Sequence, residues 1–163
     1  MLTQVTVVVA TVLCSLVAGF LFAFAVVVMP GIKNLSDREF IRVFQEVDGV
    51  IQKGQPLFGI VWIGSVVALL LAVALGLGKF AGQQQLLLIV AGCAYFFGVQ
   101  LPTIAVNIPL NNEIQALDVD GADETAWRSA RERFEQRWNR WNTFRTVLAV
   151  LSAGTLSVVL LGI

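Results

Sequence analysis

Residues 5–29 read VTVVVATVLCSLVAGFLFAFAVVVM, 25 positions without one charged side chain. A helix crossing a hydrocarbon core needs about 20 apolar residues, so this run decides the class of the fold. It stops at Pro30-Gly31, a helix-ending pair. Ala23-Phe24-Ala25 has the look of a signal cleavage site, but no Lys or Arg precedes the run. The run is also much longer than the roughly 7–15 apolar residues of a signal peptide, so it is read as a span.

Working outward, three more charge-free runs follow at about 58–77, 86–108 and 146–163. Backbone groups in lipid must be satisfied within their own segment, so all four runs are predicted to be helices. A chain of 163 residues accommodates four spans and short connections with no separate soluble domain. The expected fold is therefore all-α, a single four-helix membrane domain over 1–163. Composition agrees, with 57% hydrophobic residues and a mean hydropathy of +0.80. Only 13% of residues are charged, against about 25% in ordinary soluble domains. The 11 basic and 11 acidic residues cancel, which leaves no global field to attract nucleic acid. The lipid bilayer is the expected partner.

The connections carry structure of their own. Ser36-Asp37-Arg38-Glu39 has the spacing of a capping box, and Phe40, Phe44, Val47 and Ile51 recur at helical intervals before Gly54 and Pro56. An amphipathic helix over about 36–53 is expected, lying at the interface or packed on the bundle. Past the Asp- and Gly-containing stretch at 118–123, no Gly or Pro occurs before Gly154. The fourth helix is thus predicted to start near Asp123 outside the membrane and continue unbroken for about 58 Å at 1.5 Å per residue. Trp127, Phe134 and Trp141 fall on one side of it at seven-residue intervals. Ten of the eleven Lys and Arg lie in the first and third connections. The positive-inside rule then predicts those connections to be cytoplasmic and both termini outside, in a bacterial inner membrane.

Close packing in lipid favours small residues. Gly64, Ala68, Ala72 and Gly76 recur every fourth position in the second span, with Ser15, Gly19 and Ala23 in the first and Ala149, Ala153 and Ser157 in the fourth. Packing within the bundle is the favoured use of these faces, and a homo-oligomer contact is the other. Phe20, Phe22 and Phe24, with Tyr95, Phe96 and Phe97, either fill core, face lipid, or line a pocket for a flat aromatic ligand. Cys14 and Cys93 both fall in apolar stretches and are expected to be unpaired thiols. There is no His, so imidazole is removed as a metal ligand or general base, and two cysteines do not complete a zinc site. No metal and no cofactor is expected.

Polar chemistry concentrates at one membrane boundary. Gln100, Thr103 and Asn107 share a helical face around Pro102, whose missing N–H predicts a kink. The third span leaves the membrane through Asn107-Ile108-Pro109-Leu110-Asn111-Asn112-Glu113, on the side where the fourth enters. There Trp138, Trp141, Asn142 and Arg145 converge on one face. Arg145 brings five donors and a permanent charge to the edge of the hydrocarbon, so it faces a protein cavity, a carboxylate, or lipid headgroups by snorkelling. Headgroup anchoring by Trp and Arg is the simplest alternative to a site.

The segments Gly19-Phe20-Leu21-Phe22-Ala23-Phe24 with Val28-Met29-Pro30-Gly31, Asn107-Ile108-Pro109-Leu110-Asn111, and Arg137-Trp138-Asn139-Arg140-Trp141-Asn142-Thr143-Phe144-Arg145-Thr146 together resemble the DUF1772, or anthrone-oxygenase-like, membrane family. The resemblance implies a four-span bundle, and for some members an oxygenase that converts anthrones to anthraquinones without metal or flavin. Several members carry His after the Asn of the Trp-Asn element, where this chain has Thr143.

Two functional readings follow. In the first, a hydrophobic polycyclic aromatic or quinone-like molecule is bound or oxidised. Arg145, Asn142 and Asn111 stabilise an oxyanion, Glu113 is the proton acceptor, and Trp138, Trp141, Asn107, Gln100, Phe22 and Tyr95 contact the substrate. In the second, the chain is a non-enzymatic accessory subunit that docks into a larger membrane complex through its amphipathic helix and the Arg128–Arg145 stretch. No span holds a central carboxylate, which argues against a transporter.

Overall fold

The computed structural model describes residues 1–162, and the last position of the predicted fourth span, residue 163, lies outside them. Five helices account for the fold: α1 (Leu2–Ile32), α2 (Asp37–Gln52), α3 (Pro56–Leu77), α4 (Gly82–Gln115) and α5 (Glu124–Leu161). Among the described residues, all but α2 are long and apolar enough to cross a membrane.

Local chemistry sets the helix ends. Ser36 accepts from the backbone N–H of Glu39 while the Glu39 carboxylate accepts from the Ser36 backbone, the reciprocal box expected from the sequence. Asp123 caps α5 by accepting from the Ala126 N–H at 2.9 Å. From there α5 runs 38 residues without a break, as the spacing of Gly and Pro predicts. Gln45 reaches across from α2 and donates to the carbonyls of Ile114 and Leu117, closing the C-terminal end of α4. Gly82 opens α4 with φ +57°, a backbone conformation costly for any residue with a Cβ.

Two cores stack end to end. The membrane core joins α1, α3, α4 and α5 through Val7, Cys14, Leu21, Leu69, Leu88, Tyr95 and Leu156. The second joins the ends of α1, α4 and α5 to α2 through Phe24, Met29, Phe40, Phe44, Leu110, Ile114, Phe134 and Trp138. The amphipathic helix is therefore packed on the bundle through Phe40, Ile41 and Phe44, while Val47 of the expected stripe is exposed.

Small residues on α3 serve internal packing, as favoured from the sequence: Ala68, Ala72 and Gly76 are buried, and a Cβ at Gly64 would lie 3.2 Å from Leu13. Cys14 is buried, whereas Cys93 sits on the exposed face of α4, and both are free thiols. The irregularity expected at Pro102 takes the form of π-helical turns on either side of it, Phe96–Gln100 and Thr103–Asn107, with a third in α1 at Phe24–Val28. Each such turn shifts the register of the helix face, and single π turns recur at functional sites.

α4 and α5 approach closely at Gly98, where a Cβ would lie 2.6–2.8 Å from Leu148 side-chain atoms. Gly98→Ala is expected to destabilise the bundle by about 1–3 kcal/mol through overpacking. Gly19→Ala meets nothing within 4 Å and is expected to be neutral or stabilising by up to about 1 kcal/mol. Thermal unfolding of the two variants in detergent checks this, and equal melting temperatures would contradict the close approach.

Candidate functional site

A chamber of about 190 Å³ lies where the two cores meet. Its walls are mainly aromatic. Phe20 and Phe24 of α1, Phe44 of α2, Phe58 and Trp62 of α3 and Trp138 of α5 all line it. These rings brace one another, Phe24 and Phe44 lying 5.7 and 5.6 Å from Trp138 between centroids and Phe58 stacking on Trp62 at 5.3 Å. An apolar cavity of about 150 Å³ suffices to bind benzene, so this chamber has room for a flat ring system reaching into its mouth. The deep wall is buried, while Ile51, Phe58, Trp62, Ile108 and Asn111 are partly exposed and form the rim.

Helix α4 supplies one polar wall. Thr103, Asn107 and Asn111 are spaced four apart and project into the chamber together. From α5 come Asn142 and Arg145, one turn apart. Arg145 is 4% exposed; its Nη1 donates to Thr103 Oγ1 at 2.9 Å and its Nη2 to Asn142 Oδ1 at 3.0 Å. Asn142 in turn donates to the Leu21 carbonyl at 3.1 Å, so the guanidinium is tied to α1, α4 and α5 together. Its central carbon lies 5.9 Å from the Trp138 ring centroid, within cation–π range. Arg145 is in no ion pair among the described residues, and its Nε–H has no acceptor. Snorkelling to headgroups is excluded by this burial.

From α2, Asp48 also lines the chamber, and it is 3% exposed. One carboxylate oxygen accepts from Asn111 Nδ2 at 2.7 Å, and the other accepts from Gln52 at 2.8 Å and Gln115 at 3.0 Å. A carboxylate has about four lone-pair sites, so these donors fix its position and leave one site free. Asn111 also accepts from Trp138 Nε1 at 2.7 Å, which links the Asp48 cluster to the ring beneath Arg145. The chamber thus holds one buried cation and one buried anion joined through neutral groups.

Sequence reasoning brings together Arg145, Asn142, Asn111, Asn107 and Trp138, and the structure puts all five on the chamber wall. Its other expected residues lie elsewhere. Phe22 is 52% exposed on the outer face of α1, because two residues of helix rotate it about 200° from Phe20. Tyr95 is buried in the membrane core against Ser65, eight residues and about 12 Å below Thr103 along α4. Trp141 packs edge-on against Phe144, outside the lining. Gln100 stands behind the wall, accepting from Trp62 Nε1 at 3.1 Å, with its own Nε2 buried and unpartnered. Glu113 points away from Asn111 and pairs with Arg133 at 2.9 Å on the surface, so it is out of reach as a proton acceptor. Asp48 is the carboxylate on the chamber wall instead. Its signal in the sequence is a place four residues after Phe44, on the apolar stripe of α2.

The described residues contain no group of three or more His, Cys, Asp or Glu placed to hold a metal ion. A family model described as anthrone oxygenase matches residues 48–155. That segment runs from Asp48 past Arg145 and includes every polar residue of the chamber wall. No curated protein and no solved structure matches the chain.

Asn111 is the joint between Asp48 and Trp138. Asn111→Leu leaves a buried indole N–H and a carboxylate oxygen without partners, and a loss of about 1–3 kcal/mol is expected. Glu113→Ala breaks only an exposed pair and should cost about 0–1 kcal/mol. Chemical unfolding measures both, and a Glu113 effect equal to that of Asn111 would contradict the assignment.

Proposed function

The chain belongs to the anthrone oxygenase family, and on that premise we propose that its chamber binds an anthrone-type fused-ring ketone and oxidises it with molecular oxygen, using the protein's own side chains for the acid–base chemistry. The observation that carries this reading is the buried Arg145 guanidinium, which has no carboxylate partner and lines an aromatic chamber. An unpaired charge in such surroundings is costly. A ligand oxygen that becomes negative during reaction supplies the missing counter-charge, and that is where a preorganised donor accelerates chemistry.

The steps follow from the residues. Asp48 removes a proton from the methylene between the two aryl rings, and the electron pair delocalises onto the ketone oxygen, which accepts from Arg145. This enolate is electron-rich enough to transfer an electron to oxygen, and recombination of the two radicals forms a carbon–oxygen bond at the former methylene. The peroxide takes the proton back from Asp48. Loss of the remaining carbon-bound hydrogen with cleavage of the oxygen–oxygen bond releases water and leaves a second carbonyl. The sum is one methylene and one oxygen molecule converted to one carbonyl and one water. The aromatic walls hold the ring plane and exclude bulk water, which strengthens the Arg145 interaction. Thr143 faces outward and lies outside the chamber lining.

The docking reading draws no comparable support. Arg131 and Arg133, within the stretch expected to meet a partner, are paired with Asp37, Glu135 and Glu113 of the same chain, as Arg38 and Arg42 are with Asp120.

Purified protein in nanodiscs, assayed with an anthrone under oxygen for quinone formation, tests the reading. Arg145→Gln and Asp48→Asn are each expected to lower kcat/KM by about 100-fold or more while the protein stays folded. Glu113→Gln should retain wild-type turnover. Full activity in a folded Asp48→Asn or Arg145→Gln protein would discard the mechanism.

A further inference from the structure

The mouth of the chamber is placed by what closes its other sides. On the aqueous side, α2 and α4 are tied together by Asp48 with Asn111 and Gln115, and by Gln52 donating to Asn112 at 3.3 Å. Between α1 and α3, the Phe20 ring lies 5.3 Å from Phe58 and 6.5 Å from Trp62 between centroids. Toward α5, Trp138 packs on Phe24 and Phe44, and Arg145 bonds to Thr103. The seam between α3 and α4 is different. The two helices pack along Gly82–Tyr95, where Ser65 meets Tyr95 at 2.6 Å, and diverge beyond it. Trp62, donating to Gln100 at 3.1 Å, bridges the widening gap like a sill. Between that sill and the membrane boundary stand Phe58 and Ile108, both on the chamber lining and both partly exposed.

We infer that this seam is a lateral portal through which the ligand enters from the bilayer as a neutral, membrane-dissolved molecule. This rests on the aromatic-ligand reading above and adds the route. Phe58 opens the second charge-free run and Ile108 closes the third, so the portal lies at the hydrocarbon boundary and reaches down to Trp62, about 6 Å deeper along α3. Its outer approach is apolar, because Leu101, Ile104 and Ile108 form an exposed stripe along α4 that leads to the mouth. The rim residues Ile51, Phe58, Trp62, Ile108 and Asn111 include no charged side chain. A charged solute would have to leave water and cross that apolar stripe at high cost, whereas a fused-ring ketone dissolved in the hydrocarbon already stands at the mouth. Negative charge then arises only inside, on the wall that holds the buried Arg145. Phe58 is held at the mouth by its stacking on Trp62 and by Gln55, which accepts from its backbone N–H at 2.6 Å.

Nitroxide labels test the portal without any ligand. With the exposed thiol removed by Cys93→Ser, labels introduced through Ile108→Cys, Ile104→Cys or Asn112→Cys are compared in nanodiscs for collision with molecular oxygen, which concentrates in hydrocarbon, and with a water-soluble nickel chelate. The label at position 108 is expected to follow that at 104 in favouring oxygen, while the label at 112, on the aqueous side, favours nickel. A label at 108 as open to nickel as the one at 112 overturns the portal and leaves the aromatic chamber standing. Transit is read separately, by stopped-flow tryptophan quenching with anthraquinone supplied in lipid vesicles. Ile108→Trp narrows the mouth and should slow association and release together by about tenfold, with the affinity nearly unchanged. Ile108→Phe serves the same purpose if the tryptophan variant does not fold, and Asn112→Trp should leave both rates as in wild type. Unchanged rates in a folded Ile108 variant overturn entry by this route. Failure of anthraquinone to bind wild type, with the labels behaving as expected, overturns the ligand reading and its delivery with it.

Discussion

Burying a guanidinium with no carboxylate beside it constrains more of this molecule than any other single interaction. Arg145 sits where the apolar half of α5 begins, and a charge in that place must be surrounded by acceptors or be expelled. Thr103 from α4 and Asn142 from α5 supply the acceptors, and Asn142 is held by the Leu21 carbonyl of α1. Three of the spanning helices are thereby fixed around one side chain. The π turn at Thr103–Asn107 belongs to the same arrangement, since it sets the face on which Thr103 meets Arg145.

The second core explains how polar groups survive at this depth. Helix α2 folds over the ends of α1, α4 and α5 and buries Phe40, Ile41 and Phe44 against Leu110, Ile114 and Phe134. That cover brings Asp48 down onto the chamber beside the Asn111–Trp138 link. At the surface, Arg131 holds α2 to α5 through Asp37 and stacks over Phe40 at 4.3 Å. Arg38 and Arg42 tie α2 to the loop before α5 through Asp120, whose carboxyl they hold below the usual range. These exposed pairs add little stability individually. Their geometric effect is to hold the one amphipathic helix in the register that places a carboxylate on the wall of the chamber that Arg145 also lines.

Much of this is legible in the sequence alone, for local reasons. Charge-free length marks the spans, the Ser36–Glu39 box marks the start of α2, and the lack of Gly and Pro after 123 marks the continuous α5. Helical spacing on α4 and α5, with the exit segment 107–113, collects Asn107, Asn111, Trp138, Asn142 and Arg145 at one boundary, although the same spacing also includes Gln100 and Trp141, which lie off the chamber. What escaped depends on which neighbour a face meets. Phe22 and Glu113 lie two residues from true lining residues and so point away from them. Tyr95 lies on the inward stripe but too deep. Asp48 escapes because a charged residue on an amphipathic helix reads as solvated, although its spacing from Phe40 and Phe44 places it on the apolar side.

The most direct measurement is an experimental structure of the wild-type protein in lipid with an anthraquinone bound. The account requires the ring system to lie among Phe24, Phe44 and Trp138, with one of its carbonyl oxygens within hydrogen-bonding distance of the Arg145 guanidinium and Asp48 on the chamber wall facing the ligand. A chamber filled by lipid chain with the quinone seated elsewhere, or a bound quinone whose oxygens leave Arg145 unpaired, would contradict it.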